Sequence, residues 1–214
     1  MSLSEGYKLS FYLQMLSYIL PIWFGCRYFK YFDKILQIFF LSIIISFMID
    51  MYSWILVIAK IQNYYLDYLF SFNSFITKVL IFALLIKIKK HRIIIVGLGI
   101  SVIPVFMVDL IWIAGAKHHN TFSASIANIW IFISTLYCLR QLINEANADF
   151  SKNPLFWILI GISIKKNLTF ADSLFSDYVL NYSVTLAYIL YSFTYLVSVV
   201  ENILYSRGLY ESKR

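Results

Sequence analysis

Apolar residues run along the chain in blocks of about 20, the length an α-helix needs to cross the hydrocarbon of a bilayer. Short polar or basic breaks separate them. The pattern predicts seven helices, over residues 9–26, 35–58, 66–88, 93–114, 122–143, 154–177 and 183–206. The connections are brief, and the widest gap falls near 144–153. The expected architecture is therefore all-α: a bundle of seven transmembrane helices forming a single domain over 1–214, with no room for a soluble catalytic or nucleic-acid-binding domain.

Composition agrees with that pattern. Of the 214 residues, 61% are hydrophobic and only 14% charged, whereas soluble domains carry about 25% charged residues. Lys8 followed by an apolar run has the outline of a signal peptide, but no small-x-small cleavage site follows, so an uncleaved first span is expected.

Charge orients the bundle. Lys and Arg concentrate on cytoplasmic loops, and twelve of the 18 basic residues lie at one set of span ends: Arg27, Lys30, Lys34, Lys87, Lys89, Lys90, Arg92, Arg140, Lys152, Arg207, Lys213 and Arg214. The opposite ends carry Lys8, Lys60 and Lys117 alone. An outside amino terminus and a cytoplasmic carboxyl terminus follow. The net charge of +7 then belongs to the inner rim, where it suits anionic lipid and a cytoplasmic signalling partner rather than nucleic acid. Cys26 and Cys138 fall near cytoplasmic ends, where packing is expected and a disulfide is not.

Aromatic residues cluster where anchors at the interface would sit: Tyr28, Phe29, Tyr31 and Phe32 inside, Tyr64, Tyr65, Tyr68, Tyr178 and Tyr182 outside. Pro21 and Pro104 predict kinks within spans, and Pro154 a helix start. The pairs Gly97/Ser101 and Ser123/Ala127 predict close helix approaches.

Six ionisable residues fall inside the spans away from the rims: Asp50, Lys78, Asp109, Lys165, Lys166 and Glu201. A charge at that depth normally faces a bundle interior or a watery cavity and finds a partner. Counted from cytoplasmic span ends at 1.5 Å per residue, Lys78, Lys165 and Lys166 lie at about 15 to 18 Å and Asp50 and Asp109 at about 22 to 24 Å. Lysine reach then predicts a polar cluster in the outer half, a ligand or ion pathway built from Asp50, Lys78, Asp109, Lys165 and Lys166. Trp112, one turn beyond Asp109, and Asn128 in the next span are added as an aromatic and a polar wall. On the same scale Glu201 sits at only about 8 Å and is expected to reach inner water. Lys165 and Lys166 point about 100° apart on a helix, so one faces the cavity while the other snorkels or opens a break near 163–167.

No catalytic constellation, phosphate loop or metal-ligand spacing is present, and no cofactor is implied. His91 stands alone, and His118 and His119 are adjacent rather than at i, i+4. Asn167-Leu-Thr and Asn181-Tyr-Ser match glycosylation triplets, the first inside a span.

Seven helices invite comparison with rhodopsins, but 183–206 contains no lysine for a retinal Schiff base. The segment NPLFWILIGI at 153–162, with Pro154, Phe156, Trp157 and Gly161, resembles the Pro-x-Phe-Trp-x-x-x-Gly start of a span in uncharacterised bacterial seven-helix membrane proteins, often encoded near sensor histidine kinases. This chain departs from them at Ile164-Lys165-Lys166-Asn167, where they continue with aromatic residues. The expected function is a non-enzymatic sensor or binding module of the bacterial inner membrane acting through a cytoplasmic partner. A small transporter or channel using the same polar residues is the rival.

Overall fold

The computed structural model describes residues 3–113, 120–145 and 150–213. Helices account for nearly all of them: α1 (Leu3–Ser17), α2 (Ile19–Tyr28), α3 (Lys34–Ile58), α4 (Tyr65–Leu85), α5 (Lys89–Val108), α6 (Thr121–Glu145), α7 (Pro154–Leu168), α8 (Phe170–Tyr182) and α9 (Val184–Glu211). No strand occurs among the described residues. His118, His119, Lys117 and Arg214, assigned to rims above, lie outside them.

Six stretches are long and apolar enough to cross a membrane: Glu5–Tyr31, Lys34–Ile58, Tyr65–Leu85, Lys89–Ile113, Thr121–Asn144 and Val184–Glu211. The span expected at 154–177 is instead broken at Thr169 into α7 and α8, of 15 and 13 residues. The Thr169 hydroxyl and backbone N–H both return to the Lys165 carbonyl, at 2.8 and 2.9 Å, which ends α7. Two lysines in the last turn of α7 and Asp172 in the first turn of α8 match the opposed partial charges of the two helix ends. The break lies just past the expected 163–167.

Prolines act as expected at two places. Pro21 withholds the N–H that the Ser17 carbonyl would accept, and the first stretch divides there into α1 and α2. Pro154 opens α7 beneath an Asn153 cap that accepts from the Leu155 N–H at 2.9 Å. Pro104 sits within α5, which passes at Asp109–Ile113 into a wider π turn.

The crossings form a ring. α9 packs on α1, α2, α7 and α8; α3 packs on α2 and α4; α4 touches α6, and α6 packs on α7 and α8. α5 lies outside that ring, against α4 and α6. α7 and α9 run antiparallel and close: a Cβ on Gly161 would meet the Tyr205 ring at 3.0 Å, and one on Gly208 would meet the Pro154 carbonyl at 2.7 Å. The same pairing continues past the break, where Thr194 donates to Asp172 at 3.2 Å. Chain direction thus persists from α7 into α8.

Polarity is inverted relative to a soluble protein. Leucines, isoleucines and Trp23 cover the outer surface, whereas Ser10, Gln14, Ser42, Ser46, Lys78, Asn128, Ser198, Glu201 and Asn202 are buried. Toward the ends rich in Lys and Arg, the interior is packed by Phe39, Phe82, Ile158, Leu159, Ile162 and Leu209. The other half of the bundle is polar inside.

Local packing corrects several expectations. A Cβ on Gly97 would meet nothing within 4 Å and Ser101 faces outward, so that pair makes no close approach. Gly99 does, with Trp130 at 2.6 Å from its would-be Cβ. Ser123 and Ala127 are buried as expected. Phe32 and Tyr68, counted as rim anchors, are core residues, while Tyr178 and Tyr182 are exposed and stacked at 5.7 Å.

Candidate functional site

A cavity of about 440 Å³ occupies the polar half of the ring. Its rim is made by Tyr7 at the start of α1, Asn63 in the α3–α4 link, Asp67 at the start of α4, Asn120 and Thr121 at the start of α6, and Asp172 of α8. It therefore opens at the end of the bundle poor in Lys and Arg. A narrow extension of about 40 Å³ continues below it, past Ser74, Lys165 and Lys166 to Lys78, Glu201 and Tyr205. The apolar packing of Phe82, Ile158 and Ile162 follows, and no residue of the basic rim lines either space, so the space is a blind pit.

Its walls are stripes of polar residues at helical spacing. Asp67, Ser71, Ser74 and Lys78 descend α4; Ser42, Ser46, Asp50 and Ser53 climb α3; Thr194, Ser198 and Asn202 descend α9, with Glu201 beside them. Steps of three and four residues keep a stripe on one face. Each stripe turns inward because lipid offers its groups no hydrogen bonds.

Near the mouth, Tyr7 and Tyr195 join α1 to α9 through their hydroxyls at 3.3 Å, and Asn63 donates to Ser53 Oγ at 2.6 Å, tying the α3–α4 link over the opening. Midway, Asp50 accepts from the Tyr18 hydroxyl at 2.9 Å and from Gln14 at 3.3 Å. At the floor, Lys165 Nζ forms an ion pair with Glu201 Oε2 at 2.7 Å, while the other Glu201 oxygen accepts from the Tyr205 hydroxyl. Lys166 Nζ donates to Asn128 Oδ1 at 2.6 Å, and Lys78 Nζ to Ser74 Oγ at 3.0 Å. Asn202 donates to Ser17 Oγ at 2.8 Å, fastening α9 to the α1–α2 break.

Of the residues expected to converge, Asp50, Lys78, Lys165, Lys166 and Asn128 do so. Both lysines of the adjacent pair face the interior, Lys165 toward α9 and Lys166 toward α6, because the helix lies between those two neighbours. Asp109 and Trp112 do not join them. They sit on α5 and its π turn, outside the ring. Asp109 is wholly buried and accepts from the Ser123 N–H at 2.9 Å, capping the start of α6, and Trp112 is 76% exposed on the outer surface. Three residues along an α-helix return nearly to the same face, but the wider π turn does not bring them back.

Glu201 is the residue the depth count misplaced. α9 runs on to Glu211, five residues beyond the expected end, which sinks Glu201 by about 7 Å and brings it level with Lys165. The polar repeat at 194, 198 and 202 was the signal for a buried face there.

The Pro154/Phe156/Trp157/Gly161 segment lies away from the cavity. Trp157 donates to the Ser151 carbonyl at 2.7 Å and lies under the Arg207 guanidinium, and Gly161 admits Tyr205. It fastens α7 to α9. His91 pairs with the Tyr137 hydroxyl at 2.5 Å, and no group of metal-ligating side chains occurs among the described residues.

Helices of this length and apolarity, wrapped around polar side chains, are those of a multi-pass membrane protein. Comparison with protein-family models, curated proteins and solved structures returns no match. The cavity's own chemistry is what bears on function.

Proposed function

We propose that the protein is a non-enzymatic binding module of the plasma membrane, which takes a small polar ligand into the cavity and passes the change to a cytoplasmic partner. The blind, polar, hydrogen-bond-lined pit carries this reading. It has the proportions of a small-molecule site, and the apolar packing beneath it offers no continuous path to the other face.

In this reading the chain crosses seven times. Its sixth crossing is the broken α7–α8 pair, supported by the unbroken antiparallel register with α9 from Gly161 to Asp172. The amino terminus is outside and the carboxyl terminus in the cytoplasm, supported by the basic residues gathered at one set of helix ends. The cavity then opens outward. The basic rim, with Arg207 and Lys213 over the Tyr210 ring, is the surface left for a cytoplasmic partner.

One observation favours transport instead: a discontinuous helix at mid-depth beside a binding site is a device of secondary transporters. Flux separates the two. Proteoliposomes assayed with labelled phosphate, acetate, mixed amino acids and rubidium are expected to take up no more than empty vesicles. Uptake that Glu201→Gln abolishes would replace the binding reading with the transport one.

A further inference from the structure

We propose that the floor of the cavity is an oxyanion site, in which the ammonium groups of Lys78 and Lys166 together hold the phosphate or carboxylate group of the ligand. The inference rests on the reading of the cavity as a water-accessible binding site and adds the chemical class of what enters it.

Three ammonium groups, Lys78, Lys165 and Lys166, line the same narrow floor. One carboxylate stands among them, and it is already engaged: Glu201 holds Lys165 with one oxygen and the Tyr205 hydroxyl with the other. Asp50, on the wall above, accepts from Tyr18 and Gln14, and the floor lysine that forms an ion pair among the described residues, Lys165, forms it with Glu201. Lys78 therefore has only the Ser74 hydroxyl, and Lys166 only the Asn128 amide oxygen, among the described residues. Each ammonium carries three donors and spends one. Among the residues that line it, the floor has three basic groups and one acidic group, an excess of two basic groups.

Lys78 is only 7% exposed. A buried charge without a counter-ion is strongly unfavourable in a membrane interior. Water entering from the mouth would accept hydrogen bonds from the spare N–H groups but would not cancel a charge there. An oxyanion does both, since its oxygens accept several N–H bonds at once and its charge offsets the lysines. A cation is repelled from the same floor. The space above, about 440 Å³, admits a small organic body attached to the oxyanion. A soluble anion and an anionic lipid headgroup present the same chemistry.

The protein in phosphatidylcholine nanodiscs tests this. In one arm sodium phosphate or acetate replaces chloride at constant ionic strength; in the other, phosphatidylglycerol replaces part of the lipid. The apparent Tm is expected to rise by about 5 °C at saturation in at least one arm. A response to free phosphate or acetate identifies a soluble ligand, and a response to phosphatidylglycerol alone identifies a headgroup. Asn128→Asp, which places a carboxylate beside Lys166, is expected to raise the Tm of the unliganded protein and abolish the response. Lys166→Gln is expected to fold and to weaken the responding anion at least about ten-fold, the loss of one charge-assisted contact.

No response in either arm, or an affinity unchanged in Lys166→Gln, overturns the oxyanion site. Labelling of Ser71→Cys by a water-soluble thiol reagent separates the two claims. If that cysteine labels while the anions do nothing, the site is wrong and the cavity stands; if it does not label, both fall.

Discussion

Lys165 and Glu201 show how much of the cavity depends on single side chains. Lysine at the end of α7 meets glutamate on α9 because the two helices run antiparallel and because Gly161 and Gly208 allow them close. The glycines can be tested without touching the cavity. Gly208→Ala puts a Cβ within 2.7 Å of the Pro154 carbonyl, which is backbone and cannot swing aside. It should cost about 2 kcal/mol in reversible unfolding from mixed micelles. Gly97→Ala meets open space on the outer face of α5, and should be neutral or stabilise by up to about 1 kcal/mol. Equal effects at the two positions would contradict the packing described. Sequence alone marked Gly97 and Ser101 as one of two close pairs, because spacing reveals a small-residue stripe but not the neighbour it faces.

Helices were legible in the apolar pattern, and their ends less so. Five expected spans match continuous crossings to within a few residues at most ends, while the first extends from Glu5 to Tyr31. The shortfall at α9 misplaced Glu201, because Arg207 and Glu211 pair one turn apart at 2.5 Å and let the helix run on past the last apolar block. The break at Thr169 is a case of the opposite kind. The charges of Lys165 and Lys166 announced that something happens there, but a Thr hydroxyl returning to the backbone is common within unbroken helices too. Asp109 and Trp112 failed for a third reason: helix order along the chain does not tell which helix leaves the ring. Continuity of α7 into α8 has a direct check. Cysteines at Asp172 and Thr194, in a Cys26→Ser, Cys138→Ala background, should cross-link on mild oxidation, since the native side chains touch at 3.2 Å. A pair that never cross-links would mean that α8 turns away from α9.

In the molecule as a whole, the two ends of the bundle differ in kind. The end carrying most of the Lys and Arg is closely packed with apolar side chains, and the other is hollow and lined with hydroxyl, amide and carboxylate groups. Polar stripes on α3, α4 and α9, rather than the ionisable residues taken singly, were the sequence feature that marked the hollow end. Weighing serines and asparagines by their three- and four-residue spacing would have brought Ser42, Ser74 and Asn202 into the site. The deciding measurement is the accessibility of Ser71→Cys in intact cells, again without the native cysteines. Ser71 lies on the α4 stripe inside the cavity, between Asp67 at its mouth and Ser74 near its floor. A membrane-impermeant thiol reagent added outside is expected to label it as completely as Lys60→Cys in the α3–α4 link. A cysteine at 71 that labels only from the cytoplasmic side, or not at all while position 60 reacts, would contradict the account.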